Sequence, residues 1–220
     1  MKLFTTISLM VICLFSKAQL NYTIVYTHSY GVDSFFKKSN YTYSELYGAL
    51  LVQGDSLIVY RLSKTKKELL LPYDMNNNKV HHSSIKYQNS NFSYNVNFNN
   101  RKTAQFIIDP DKNYDWKVEN DSTIICGFRC MKARSYTGLI AWYTPSLSAK
   151  FGPFSFTGLP GTILKLYDIQ NFMLIEANKI VDICPPIIFP KDKMQIVTWE
   201  QAKEEIRNNQ KKKKANWFFN

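Results

Sequence analysis

Phe151-Gly152-Pro153-Phe154-Ser155-Phe156-Thr157-Gly158-Leu159-Pro160-Gly161-Thr162-Ile163-Leu164 is the stretch on which the reading of the chain turns. Leu159-Pro160-Gly161-Thr162 has the composition of a type II turn. Proline presets φ at the second position, and glycine accepts the positive φ required at the third. The alternating apolar run from Thr162 to Tyr167 follows at once, so the turn is expected to feed a strand. Phe151-Gly152-Pro153-Phe154 is a second breaker. Between the two, Phe154 and Phe156 point to one side if the segment is extended. Two rigid turns around a short aromatic segment make a shaped corner. It is either purely structural or a surface for a ligand or partner, formed by Phe151, Gly152, Pro153, Phe154, Phe156, Gly158, Leu159, Pro160 and Gly161.

Working upstream, the same order of features continues. Trp116 is followed by Ile125-Cys126-Gly127-Phe128-Arg129-Cys130-Met131-Lys132-Ala133, then by Ala141-Trp142-Tyr143-Thr144-Pro145, then by the two glycine-proline steps, closing near Asp168. In order and spacing this resembles the GLPGLI family of Bacteroidetes envelope proteins, over about a quarter of the chain. Thr162 stands where the naming motif has leucine, Ser146-Leu147-Ser148 replaces an Ile-Pro step, and no arginine precedes Ala141-Trp142-Tyr143. The resemblance implies an exported protein of unknown biochemical role and supplies no catalytic residues.

The amino terminus agrees with export. Lys2 precedes an apolar run from Leu3 to Phe15, and Ser16-Lys17-Ala18 offers a small residue for cleavage, so residues 1–18 read as a signal peptide. The run is shorter than the ~20 residues a membrane helix needs, and the chain has no longer one. Cys13 lies inside it and lacks the small neighbours of a lipid-anchored cysteine. The mature protein is expected to be periplasmic or secreted, cleaved near Ala18, and not integral to the membrane.

Residues 19–220 suit a single β-rich domain, with a basic tail from about residue 209. The whole chain has 28 basic and 17 acidic residues, formally +11. Lys211 to Lys214 concentrate part of the excess in the tail. A basic balance suits nucleic acid or an anionic membrane surface, and export argues against nucleic acid. Abundant Tyr and Phe among Asn and Ser favour strands joined by polar turns. Tyr22, Ile24 and Tyr26 alternate with Thr23, Val25 and Thr27 as in a half-buried strand. Gln53-Gly54-Asp55 between two apolar runs signals a hairpin. Lys64 to Glu68 reads as a loop, and Thr123 to Arg134 as a strand with imperfect alternation. Thr198 and Gln201 form a capping box for a helix over 199–208.

The residues that carry chemistry are sparse. Cys126 and Cys130 in one extended strand would lie ~13 Å apart, too far for a disulfide. A bond from Cys130 or Cys126 to Cys184 remains open in an oxidising compartment, with buried free thiols as the alternative. His81-His82 in a strand would face opposite sides and make a poor metal pair. No nucleophile elbow, zinc-protease, phosphate-loop or dinucleotide motif is present. Asp109 and Asp111 flank Pro110 as in a turn. Trp142-Tyr143 offers an aromatic platform of which one residue only can face a given surface.

The expected architecture is a mainly β protein: a curved antiparallel sheet or open half-barrel with a short C-terminal helix. The expected function is non-enzymatic binding or carriage of an apolar ligand, a hydrophobic small molecule or lipid, in a cavity near Trp142 and Phe151 to Phe156. Such a sheet resembles carriers that move lipoproteins across the periplasm, by analogy of fold alone. The alternative is an accessory partner of an outer-membrane receptor or transporter. No cofactor, metal or catalytic residue is expected.

Overall fold

The computed structural model describes residues 21–30, 46–54, 57–63, 65–75, 83–87, 90–99, 103–168, 173–189, 195–204 and 207–208. Residues 1–18, which the sequence reads as a signal peptide, and His81, His82 and the lysine run lie outside them. The strands are β1 (Asn21–Tyr30), β2 (Leu46–Gln53), β3 (Leu57–Ser63), β4 (Tyr73–Asp74), β5 (Ser83–Tyr87), β6 (Phe92–Asn99), β7 (Thr103–Pro110), β8 (Lys117–Ile125), β9 (Phe128–Arg134), β10 (Leu139–Thr144), β11 (Thr162–Asp168), β12 (Met173–Val181), β13 (Ile187–Ile188) and β14 (Gln195–Val197). One helical turn, α1 (Lys66–Leu69), a 3-10 turn over Pro153–Ser155 and the helix that begins after Thr198 complete the regular structure among the described residues.

Twelve strands form one open sheet in the order β14-β7-β6-β5-β3-β2-β1-β12-β11-β10-β9-β8. Its pairings are antiparallel except that β14 lies parallel to β7. The mainly β, open-sheet expectation therefore holds. Two meanders, β1 to β7 and β8 to β12, meet where β1 takes β12 as its second neighbour. β1 is buried on both faces rather than half-buried, as its central place requires: Tyr22, Ile24 and Tyr26 are fully buried on one face, and Thr23 and Val25 are buried on the other.

The two faces carry separate cores. The first joins Tyr22, Ile24, Tyr26, Leu50 and Tyr60 to Tyr143, Leu164, Leu166 and Ile175, and is roofed by the segment between β10 and β11 through Leu147, Ala149, Phe151 and Leu159. The second holds Val25, Ala49, Leu51, Val59, Ile85 and Phe106 under Leu69, Tyr73 and Met75, with Cys184, Ile187 and Phe189 packed against it. The abundance of tyrosine has a use here. Tyrosine brings a large apolar body and a hydroxyl that finds a partner when buried. Tyr26 Oη donates to the Ile163 carbonyl at 2.8 Å, and Tyr22 Oη accepts from Ala149 N at 3.1 Å. The first ties β1 to β11, and the second ties the sheet to its roof.

Several local readings are corrected. Thr123 to Arg134 is not one strand but a hairpin. Cys126 (φ 50) and Gly127 (φ 84) turn between β8 and β9, and two positive φ values suit the right-handed twist of a two-residue hairpin. Lys64 to Glu68 is not all loop, because Thr65 caps α1 by accepting from Glu68 N. The Gln53-Gly54 hairpin and the Thr198–Gln201 capping box form as read. In the box, Thr198 N donates to Gln201 Oε1 at 2.9 Å and Gln201 N to Thr198 Oγ1 at 3.3 Å.

Candidate functional site

The central motif is a wall rather than a mouth. Phe151 is fully buried and Leu159 nearly so. The type II turn expected at Leu159 to Thr162 is not formed, for Gly161 does not take a positive φ. Its requirement is space. A Cβ there would meet the Thr144 carbonyl oxygen at 2.2 Å and Pro145 N at 2.9 Å. Gly158 is the residue with the left-handed backbone (φ +93), and a Cβ there would press on the Trp116 indole at 3.2 Å. Gly152 is likewise closed in by Ile163.

Pro153 to Ser155 form a single tight turn in which Phe154 (φ 53) and Ser155 (φ 74) are both left-handed. The segment is therefore not extended, and Phe154 and Phe156 do not share a side. Phe154 sits edge-on over His28, centroids 5.2 Å apart, and beside Tyr60 at 5.4 Å. Phe156 lies against Tyr114 at 5.0 Å, next to Trp116, whose indole N–H donates to the Thr157 carbonyl at 2.9 Å. A left-handed bulky residue costs on the order of 1–3 kcal/mol, and the aromatic contacts of Phe154 offset it.

His28 is buried and shares a short hydrogen bond with the Tyr60 hydroxyl over Gly48, where any side chain would collide with both. Burial pushes its imidazole down to about 4 from 6.5. The unfolded chain takes up this proton near pH 6.5 and the folded chain only near 4. Stability present above the unfolded value is thus lost as pH falls through that window, on the order of 3 kcal/mol in all. The urea midpoint should fall across it, and fall much less in His28→Gln. Equal slopes in the two proteins would contradict a buried neutral His28.

Of the two alternatives left open for the cysteines, a bond to Cys184 or buried free thiols, the structure has the free thiols. Cys126, Cys130 and Cys184 are free thiols, with Cys130 inside the first core and Cys184 against the second, on opposite faces of the sheet. Burial pushes the Cys130 thiol up to about 11 and raises the other two as well, so none is set up as a nucleophile. Among the described residues, no group of three or more His, Cys, Asp or Glu side chains could hold a metal ion.

The second face is covered over β1 to β7 and open over β8 to β12. Trp142 stands in the open part while its neighbour Tyr143 enters the first core, as the alternation of a strand requires. Register places Trp142 between Lys132 on β9 and Lys165 on β11, with Glu176 on β12 beyond Lys165. The Lys132 ammonium lies 5.8 Å from the indole centroid and pairs with Asp121 at 2.8 Å and Glu119 at 2.9 Å. Lys165 pairs with Glu176 at 3.2 Å. Bonding to both acids holds Lys132 above its usual value, and Lys132 and Arg134 hold Glu119 below. The result is a cleft of about 350 Å³, lined by Trp142, Tyr167, Leu174, Ile124, Lys165 and Glu176 among others. Ile124 is 73% exposed. Of the residues singled out in the sequence, Trp142 alone reaches this cleft. The lysines and acids beside it were missed because they become neighbours only across strands. The signal available was the period of two in Lys165-Leu166-Tyr167 and Leu174-Ile175-Glu176.

No family model matches the chain, and no curated protein does. Among solved structures it is similar to PNGF-II in two crystal forms, P21 and C2. The TM-score is 0.60 in both, at 18% and 17% identity, over 85% and 84% of this chain. The fold is shared. This chain spans about a third of the PNGF-II length (33% and 32%), and at such identity the likeness extends to fold alone. A LolA superfamily protein, NE2245 from Nitrosomonas europaea, aligns over 78% of this chain and 88% of its own at 7% identity and a TM-score of 0.33, too low to carry an argument.

Proposed function

We propose that this chain is a non-enzymatic binding protein of the cell envelope, a GLPGLI-family member exported by its leader, that takes an amphipathic ligand on the open face of β8 to β12. The observation that carries the reading is Trp142: a large aromatic on a rigid sheet, half-buried against the margin of the first core and set in a cleft with apolar and charged walls. Pockets of this kind pair apolar contact with a few placed polar groups. The apolar-cavity version, with the ligand under Phe151 to Phe156, draws no support from the buried motif side chains. His28, the histidine among the described residues, is enclosed by Tyr60 and Phe154 and does not face the cleft, which favours binding over catalysis.

A second reading, an accessory partner of an outer-membrane protein, is favoured by the sheet edge. There Val118 (55%) and Ile124 (73%) of β8 are exposed, and an exposed edge invites strand addition. Native mass spectrometry of the protein purified gently from its own cells separates the two. Ligand binding gives an added mass on the wild type that is lost in Trp142→Ala. A bare chain that instead brings down a membrane protein, in wild type and Trp142→Ala alike, supports the partner reading and contradicts the first.

A further inference from the structure

The charges around Trp142 cancel, although the chain as a whole is formally +11. Lys132, Arg134 and Lys165 face Glu119, Asp121 and Glu176, each base within 3.2 Å of an acid. A polyanion therefore gains little field here, whatever the basic residues do elsewhere. An acyl chain fits no better, since seating it would strip water from Lys165 and Glu176 without replacing their hydrogen bonds. The ligand has to offer a flat apolar face to the indole and, at its rim, groups that serve a donor-only ammonium and an acceptor-only carboxylate together. A hydroxyl both donates and accepts, and a ring bearing several hydroxyls meets both demands.

We infer that the Trp142 cleft is a saccharide-binding site, in which the C–H face of an uncharged sugar ring lies on the indole and its hydroxyls bond to Lys165, Glu176 and Thr123. This rests on the reading of the same face as the binding surface. The site is built in advance. Trp142 is held between cross-strand lysines on paired strands, so little ordering is left for the ligand to impose. At about 350 Å³ the cleft lies at the small end of ligand sites, roughly 300–1,000 Å³, and suits a short segment of a chain with its ends in solvent.

The test is binding of the full mature chain to an array of neutral and acidic oligosaccharides, and in parallel to phosphatidylglycerol vesicles, with Trp142→Ala and Glu176→Ala alongside. The expected result is retention of a neutral oligosaccharide, weakened about tenfold or more by each substitution. It should be unchanged between about 0.05 and about 0.5 M salt, since screening acts only on a charged ligand. Trp142-dependent binding confined to acidic glycans or to vesicles overturns the saccharide inference and leaves the binding reading intact. Sugar binding that ignores both substitutions overturns the assignment to this cleft. Absence of any Trp142-dependent ligand overturns both.

Discussion

Gly161→Ala should unfold the protein about 10 °C earlier than the wild type. The added methyl group would lie 2.2 Å from the Thr144 carbonyl oxygen and 2.6 Å from its carbon. Both are backbone atoms at the end of β10, where Thr144 pairs with Thr162, so no side chain can swing aside. Overpacking of this kind costs about 3 kcal/mol or more, and a domain of this size loses about 2–4 °C per kcal/mol. Gly54→Ala is the control. Unlike that of Gly161, its backbone is left-handed (φ +61), yet nothing lies within 4 Å of the new methyl, so it carries only the conformational penalty of about 1 kcal/mol. Thermal unfolding of the two variants should rank them in that order. A Gly161→Ala protein as stable as wild type would mean that the motif does not press on β10 as described.

Phe151→Ala is expected to cost about 3–5 kcal/mol, the range for truncating a buried phenylalanine. The ring is fully buried in the first core, and the backbone around it is fixed by Ile163 N donating to the Phe151 carbonyl at 3.3 Å. Phe156→Ala should cost less, since that ring is only half-buried beside Tyr114. The comparison has a functional edge. Truncating a residue that lines an open carrier cavity would alter ligand affinity and barely touch stability. A fall in the denaturant midpoint with unchanged ligand binding places Phe151 in the core roof. A stable Phe151→Ala protein that no longer binds its ligand would return the site to the motif.

The strand-rich architecture was legible because alternation is local. Tyr22 to Thr27 shows the period of two directly, and the capping box at Thr198 and Gln201 is complete within four residues. The turn chemistry misled where a glycine serves a distant neighbour. Gly161 follows proline as a type II turn would require, but it is there for the Thr144 carbonyl, which the sequence places seventeen residues earlier. Cys126-Gly127 was absorbed into a strand because cysteine is an unusual first residue for a hairpin turn, where asparagine or aspartate is the stronger signal. The candidate site was half visible. Alternation showed that one of Trp142 and Tyr143 lines a given surface but not which, whereas Lys132, Lys165 and Glu176 reach Trp142 through strand register. The left-handed turn at Phe154 carries no residue signal, since its backbone is held by packing on His28 and Tyr60.

The cleft and the motif lie on opposite faces of one sheet, so the face used by a ligand can be observed directly. The chain has four tryptophans, among them Trp142 in the cleft and Trp116 beside the motif. Fluorine NMR of the protein labelled with 5-fluorotryptophan, with the Trp142 and Trp116 resonances assigned by substitution to phenylalanine, would follow both faces during titration with envelope extract from the protein's own cells. The expected result is a shift of the Trp142 resonance with Trp116 unmoved. A shift confined to Trp116 would contradict the open-face site and place the ligand at the motif.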